Sequence, residues 1–433
     1  MKIAIIGSGI SGLAVAHQLR GQADVSLFEA GDYFGGHTHT VDVTLPGPTG
    51  PLTHGVDTGF LVFNERTYPK LIALFAELGI ATAQSDMSFS VQVPQAGGRA
   101  LEWSGSSLNT VFAQRRNLLQ PRFWKMLREV LRFNRLATRL AESGDYTELM
   151  QPLSGFLAQH GFSEVFRDWY FLPMLGCIWS CPTDQMLQFP VATMIRFCHN
   201  HGLIQVSNRP QWWTVTGGAR HYVEKIVSGI ADKRLNTAVS SIRRDAHGVR
   251  VSTAASVERF DQVVLACHSD QALRLLSDAS PEEQVVLGAI RYQPNRAVLH
   301  TDTTVLPRAR RAWAAWNYQR AADAAQEQSR VCLHYLLNML QPLPFTQSVV
   351  VSLNPLQEID PAQVLGSYAY EHPVFDLAAI AAQKQLPELQ GQRNTYFCGA
   401  WTGYGFHEDG LASGIEVARR IRYDTAQAGR LAA

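Results

Sequence analysis

Apolar residues along the chain follow three patterns, and each predicts a different element. Unbroken runs at 3–6 and 263–266 predict strands buried on both faces. Helical spacing predicts helices at 11–19, at 68–79 with Gly79 as a C-cap, at 115–140, at 222–230, and from Gly410 onward. Alternation predicts strands within 86–104, hairpinned around Gly97-Gly98, and across 235–251 with a turn at 246–248. Further strands are expected at 298–301, 312–316, 331–335 and 349–353, as a second sheet. Between 150 and 215 the pattern is irregular and rich in aromatics, which suits either the wall of a large apolar pocket or the core of a helical cap. The chain thus divides into an α/β unit from 1–85, 215–290 and 390–433, and a second, α+β unit from 86–214 and 291–389.

The first strand runs straight into Gly7-Ser8-Gly9-Ile10-Ser11-Gly12. Gly7 permits the tight turn, Gly9 lets a pyrophosphate approach the backbone, and Gly12 lets helix and strand pack closely. The helix N-terminus offers unpaired N–H groups to phosphate. A second strand ends at Glu29, the distance expected for a carboxylate that grips ribose hydroxyls. Strand, glycines, helix, strand and acid in this order predict dinucleotide binding. Gly35-Gly36-His37-Thr38-His39-Thr40 follows, either a donor-rich phosphate contact or a polar surface loop. Near the other end, Phe397-Cys-Gly399-Ala-Trp401-Thr-Gly403-Tyr404-Gly-Phe406-His407-Glu-Asp409-Gly410-Leu411 reads as a strand, a glycine-rich loop, an acid suited to an N-cap, and a helix aimed at something electron-rich.

Composition narrows this little. The 433 residues carry a formal charge of +1, which argues for no nucleic-acid partner. The exception is local: eight Arg/Lys between 115 and 139 face a single acid, Glu129. Such a basic amphipathic helix suits an anionic bilayer or an acidic ligand, or is a core-packed helix with a solvated face. Six scattered cysteines read as reduced, mostly buried thiols, and none of the 14 histidines falls in a metal-ligand pattern. A strand from residue 2 leaves no room for an apolar leader, and no apolar run is long enough to span a bilayer, so a cytoplasmic protein is expected, with membrane association through 115–140 as an option. The oligomeric state is left open.

The N-terminal glycine motif, Glu29, the following Gly-Gly and the C-terminal Phe-x-Gly to Ser-Gly helix resemble the flavin amine oxidase superfamily, which includes protoporphyrinogen oxidases, phytoene desaturases and carotenoid isomerases. The chain is most similar to bacterial predicted FAD-dependent oxidoreductases encoded beside cyclopropane-fatty-acyl synthases. It resembles them in Gly35-Gly-His-Thr-His-Thr, Asp57-Thr-Gly-Phe, Phe63-Asn-Glu-Arg, Ala266-Cys-His-Ser-Asp270 and Tyr404-Gly-Phe-His-Glu-Asp-Gly410. The resemblance implies a glutathione-reductase-type Rossmann FAD-binding domain with an inserted substrate domain, and FAD held non-covalently. By position it assigns Gly7, Ser8, Gly9, Ser11 and Gly12 to the pyrophosphate, Glu29 to the ribose, and Val239 to adenine. Gly399, Asp409, Gly410 and Leu411 fall to the ribitol and isoalloxazine edge. Trp401 is in addition expected to shape the ring's pocket. Gly36 and His37 stand where amine oxidases carry Gly-Gly-Arg; with the fixed arginine fork gone, His37 must substitute or the contact is absent, and Thr38 is a further candidate donor to phosphate. His37 or His39 can in principle carry a covalent flavin.

The lysine and the paired aromatic cage of many amine oxidases have no evident counterpart, which argues against an amine. The expectation is therefore an oxidoreductase without an NAD(P)H domain. It moves hydride from an apolar, fatty-acyl or lipid-like substrate to the flavin and passes electrons to oxygen, a quinone or a protein. Tyr404, Phe406 and His407 are the candidate catalytic residues, His407 either as an acid or base near neutral pH or as a structural residue at the helix entry, with Asp57 a weaker candidate. The alternatives are a flavin-dependent double-bond isomerase, an amine oxidase, and a non-catalytic lipid-binding protein.

Overall fold

Within the strand Lys2–Ile6 the run from Ile3 onward is apolar throughout because it lies in the middle of a sheet covered on both faces: Ile3 and Ile5 pack into one core, Ala4 and Ile6 into another. The computed structural model describes residues 1–432 except 48, 96–97, 144–148, 150, 206–208, 324–327 and 329. The central sheet is parallel, in the order Asp232–Arg234, Asp24–Phe28, Lys2–Ile6, Gln262–Leu265 and Thr395–Phe397. Strands far apart in the chain thus end side by side. The helix Ile10–Leu19 leaves the first strand and packs along the closing helix His407–Ala432. Their backbones nearly touch, since a Cβ on Gly414 would overlap the Ser11 carbonyl; Gly12 sits as close to the turn of the first strand, where a Cβ would overlap the Gly7 carbonyl.

A second sheet of seven strands runs Val364–Val374, Arg291–His300, Val350–Leu353, Cys332–Leu336, Trp316–Gln319, Phe89–Val93 and Leu101–Ser104. The last two form the expected hairpin, and Gly97 lies outside the described residues. One expected strand is shorter. Residues 312–315 turn instead, because the Asn317 side chain accepts from Ala314 N–H at 3.0 Å and donates to its carbonyl at 2.6 Å; pairing begins at Trp316. Helices from 121 to 200 cover the front of this sheet. Leu172–Trp179 comes closest through Gly176, where a Cβ would lie 2.8 Å from Val331 Cγ2. The aromatics of 150–215 serve both expected purposes: Phe166, Phe171 and Phe189 are wholly buried in the core, while Trp179, Phe197 and Trp212 line a cavity. The helix Pro69–Leu78 ends at Gly79 with φ of +61°, as its pattern predicts.

The back of the sheet holds a line of buried polar groups. The Asp302 N–H donates to His300 Nδ1 at 3.1 Å, so the His300 proton sits on Nε2, 2.7 Å from Ser352 Oγ. The Ser352 hydroxyl is then left to donate to His334 Nδ1 at 2.7 Å, and His334 Nε2 donates to Gln319 Oε1 at 2.9 Å. Every proton has one place, and both imidazoles must be neutral. Burial agrees, holding His300 down at about 4 and His334 at about 3. Ser352→Ala leaves one imidazole donor and one acceptor unpaired, and is expected to cost about 1–3 kcal/mol in chemical denaturation.

Candidate functional site

A cavity of about 690 Å³ runs from the C-terminal ends of the parallel strands to the front of the seven-stranded sheet. Its polar end lies before the first turn of Ile10–Leu19, whose leading N–H groups have no helical acceptor. Gly7, Ser8, Gly9, Ser11, Glu29, Gly36, His37 and Val239 line it, as expected of a nucleotide cradle. Of the three motif glycines, Gly9 alone faces open space: a Cβ there would meet nothing within 4 Å, while one on Gly7 would come within 2.7 Å of the Ala266 carbonyl oxygen. The Glu29 carboxylate accepts from Ser8 N–H at 3.0 Å, Ser8 Oγ at 2.5 Å and Gly31 N–H at 2.9 Å. A carboxylate has about four acceptor sites, so one remains for a ribose hydroxyl. These residues fit a dinucleotide.

His37 lies on the wall with its ring centroid 6.4 Å from that of His268, 5.1 Å from Tyr370 and 5.4 Å from His372. Burial pushes it down to about 4, with His268 nearby acting in the same direction. At neutral pH it offers phosphate an N–H donor and no charge. His372 accepts from Asn295 Nδ2 at 2.8 Å through Nδ1, which leaves its proton on Nε2. His268 stacks on Tyr292 at 4.2 Å. His268, Tyr292, Tyr370 and His372 were not among the expected site residues. His268 carried a usable signal: it follows Gln262–Leu265, a strand ending beside the two that end at Gly7 and Glu29. The others sit on strands whose alternation does not say which face meets the cavity.

The C-terminal loop brings Gly399, Trp401, Tyr404, Phe406 and His407 to the same cavity. Trp401 donates to the Cys267 carbonyl at 3.1 Å and so ties two strand ends together. The helix begins at His407, three residues before its expected start at Gly410. Asp409 therefore sits in the first turn, where it accepts from Phe406 N–H at 2.9 Å. Gly12, Thr38, Asp409, Gly410 and Leu411 stand behind the wall. A Cβ on Gly410 would come within 2.7 Å of Ile10 Cγ2, and Leu411 is core. The Thr38 hydroxyl bonds to that of Tyr222.

Of the two readings of His407, the geometry favours the structural one. Its Nε2 lies 2.7 Å from Tyr222 Oη and its ring stacks on Phe60 at 3.9 Å. Burial holds it down at about 3, which keeps the ring neutral at pH 7. Asp57 accepts from Ala219 N–H at 3.0 Å and Gln341 Nε2 at 2.6 Å; it braces the loop before the helix Arg220–Ser228, and burial raises it to about 6.

The far end of the cavity is largely apolar, with the His201 ring stacked among its aromatics. Ile178, Trp179, Phe197 and Trp212 face Trp316 and Val351 of the sheet. Among the described residues the carboxylates on the whole wall are Glu29 and Glu371, and both belong to the polar end, Glu371 lying 3.4 Å from His268 Nδ1.

Sequence comparison matches residues 10–309 to the family described as flavin containing amine oxidoreductase. No curated protein is matched by sequence. Among solved structures, cyclohexylamine oxidase from Brevibacterium oxydans is 18% identical, with 98% of this chain and 99% of that one covered and a TM-score of 0.69. A CLA-producing fatty acid isomerase from P. acnes is 16% identical over 96% of this chain and 98% of that one, with a TM-score of 0.67.

Two outcomes follow from the geometry. Gly9→Ala, at a backbone φ of −61°, is expected to leave a folded protein that holds flavin roughly tenfold or more weakly, because the added methyl occupies the cradle; Gly12→Ala is expected to lower the yield of folded protein. Absorbance of the purified variants checks both. Six buried histidines, 37, 201, 300, 334, 372 and 407, are held at about 3 to 4 against an ordinary 6.5. Each lets the unfolded chain take a proton that the folded one refuses. Stability is then full above about pH 6.5 and falls by up to about 1.4 kcal/mol per pH unit per histidine below it. Asp57 and Asp409, both raised to about 6, oppose this with two groups against six. Denaturation midpoints measured from pH 7 to 4 should decline.

Proposed function

The chain belongs to the flavin containing amine oxidoreductases, and from that premise we propose that it dehydrogenates a neutral, apolar substrate of the fatty-acyl or lipid-like class. It is a flavin-dependent oxidoreductase with FAD as its cofactor. The observation that carries the substrate reading is the wall of the far end, aromatic and aliphatic, with no carboxylate among its described residues. An ammonium ion entering there would lose its hydration without an ion pair in return, at a cost of several kcal/mol. An acyl chain gains about 0.8 kcal/mol for each methylene it buries.

FAD, when bound, supplies a hydride acceptor at N5. The chain's part is placement. Gly9 and the first-turn N–H groups hold the pyrophosphate, and Glu29 takes a ribose hydroxyl. His37 and His372 offer neutral donors. Trp179, Phe197 and Trp316 align an extended chain and exclude water. His407, neutral and bonded to Tyr222, serves with Phe60 as a rigid wall and not as a proton carrier. The substrate loses a hydride and a proton overall; the proton goes to solvent, and dioxygen, a quinone or a protein acceptor takes the two electrons.

The test is anaerobic mixing of the holoprotein with saturated and unsaturated acyl chains and, separately, with primary amines. Bleaching of the flavin by acyl chains alone is the expected result. Bleaching by amines alone overturns the substrate class. A product of unchanged mass, formed without bleaching or oxygen uptake, moves the chemistry to double-bond isomerisation.

A further inference from the structure

The basic segment has a face the cavity does not use. A tight turn, Arg115–Leu119, leads into the helix Pro121–Ser143. Phe123, Met126, Phe133 and Ala137 pack inward. On the outer side, Trp124, Arg128, Leu131 and Arg135 recur at intervals of four, three and four, one helical stripe. All eight cations, at 115, 116, 122, 125, 128, 132, 135 and 139, are exposed, and among the described residues none is paired with a carboxylate. The one acid of the segment is turned away: Glu129 accepts from Ser163 N–H at 3.2 Å and from its hydroxyl at 2.5 Å.

Large apolar side chains are exposed on the same segment. Of the twelve that the described residues leave exposed, five fall between 108 and 131: Leu108 at 80%, Leu118 at 45%, Leu119 at 88%, Trp124 at 39% and Leu131 at 50%. They are held in place. The Trp124 indole N–H donates to the Leu118 carbonyl at 2.9 Å, and the ring packs on Phe112 at 5.3 Å, which fixes the leucine turn against the helix. Exposed leucines gain nothing from water. Arg122 and Arg132 lie over the Trp169 and Phe162 rings, but with no carboxylate beside them the cations gain no ion pair from an apolar partner. A surface that satisfies both has anionic groups immediately above an apolar layer.

We propose that this face docks on an anionic lipid bilayer, with Leu118, Leu119, Trp124 and Leu131 entering the interface and the cations holding headgroups. A second copy of the chain is a poor occupant, since a two-fold contact would set eight cations against eight. Nucleic acid would answer the arginines and leave Leu119 in water. Among the described residues no helix is long and apolar enough to cross a membrane, so the contact lies on the surface. The helix Val191–Asn200 packs against the basic helix and carries Phe197 into the cavity, which puts the docking face one helix away from the apolar end. The docking does not rest on the identity of the substrate.

The test is sedimentation of the holoprotein with vesicles of phosphatidylcholine, with and without phosphatidylglycerol. Binding is expected with the anionic lipid only, and weakens as salt shortens the screening length from about 10 Å at 0.1 M to about 3 Å at 1 M. Arg128→Gln and Arg135→Gln should each lower the partition about fivefold. Leu119→Ser should lower it at every salt concentration. All three positions are exposed, so flavin absorbance and cooperative unfolding should match the parent. Equal binding to both vesicles, an unchanged partition after both arginine substitutions, or salt-sensitive capture by duplex DNA without vesicle binding would each overturn the proposal.

Discussion

The structure depends on how closely its first and last helices approach. Ile10–Leu19 and His407–Ala432 meet where a single added carbon on Gly414 would strike the Ser11 carbonyl. That contact brings the loop at 399–406 to the mouth of the first strand–helix turn. It also seats Ile10 against Gly410, so the wall beside Gly9 and the wall beside Phe406 belong to one packed unit. Loosening this crossing would separate the two halves of the nucleotide cradle without touching any residue that faces the ligand.

Much of this was legible in the chain because it depends on local sterics. The glycine spacing, the strand ending at Glu29 and the Gly79 cap each follow from neighbours a few residues apart. Burial is a different kind of property. His407 reads equally as an acid or base and as a structural residue until Phe60, Tyr222 and Thr38, from three distant segments, are seen to enclose it. Asp409 reads as an N-cap until the helix is seen to start before it. The order of the seven-stranded sheet, which decides that Tyr370 and His372 reach the cavity, is not encoded in any single strand. The basic helix lies between these cases: its stripe is visible in the spacing, but which leucines remain uncovered is not.

The cavity joins two solvents. At one end neutral histidines, Glu29 and backbone N–H groups suit a charged diphosphate, and at the other aromatic and aliphatic side chains suit a chain of methylenes. Holding His37 and His372 uncharged keeps the polar end compatible with an apolar neighbour, because a buried imidazolium would need water or a counter-ion that the adjoining wall does not supply.

The buried line from Asp302 to Gln319 crosses four adjacent strands, about 14 Å at ordinary strand spacing. Because each group both receives and gives, the row has a direction, like a queue of arrows. Flipping the Gln319 amide would present an N–H to an N–H, and the conflict could be relieved only by reversing the hydroxyl and both rings together, as far as the Asp302 amide, which cannot reverse. One terminal amide rotation is therefore locked by a backbone group three strands away, and the back of the sheet responds to disturbance as a single piece.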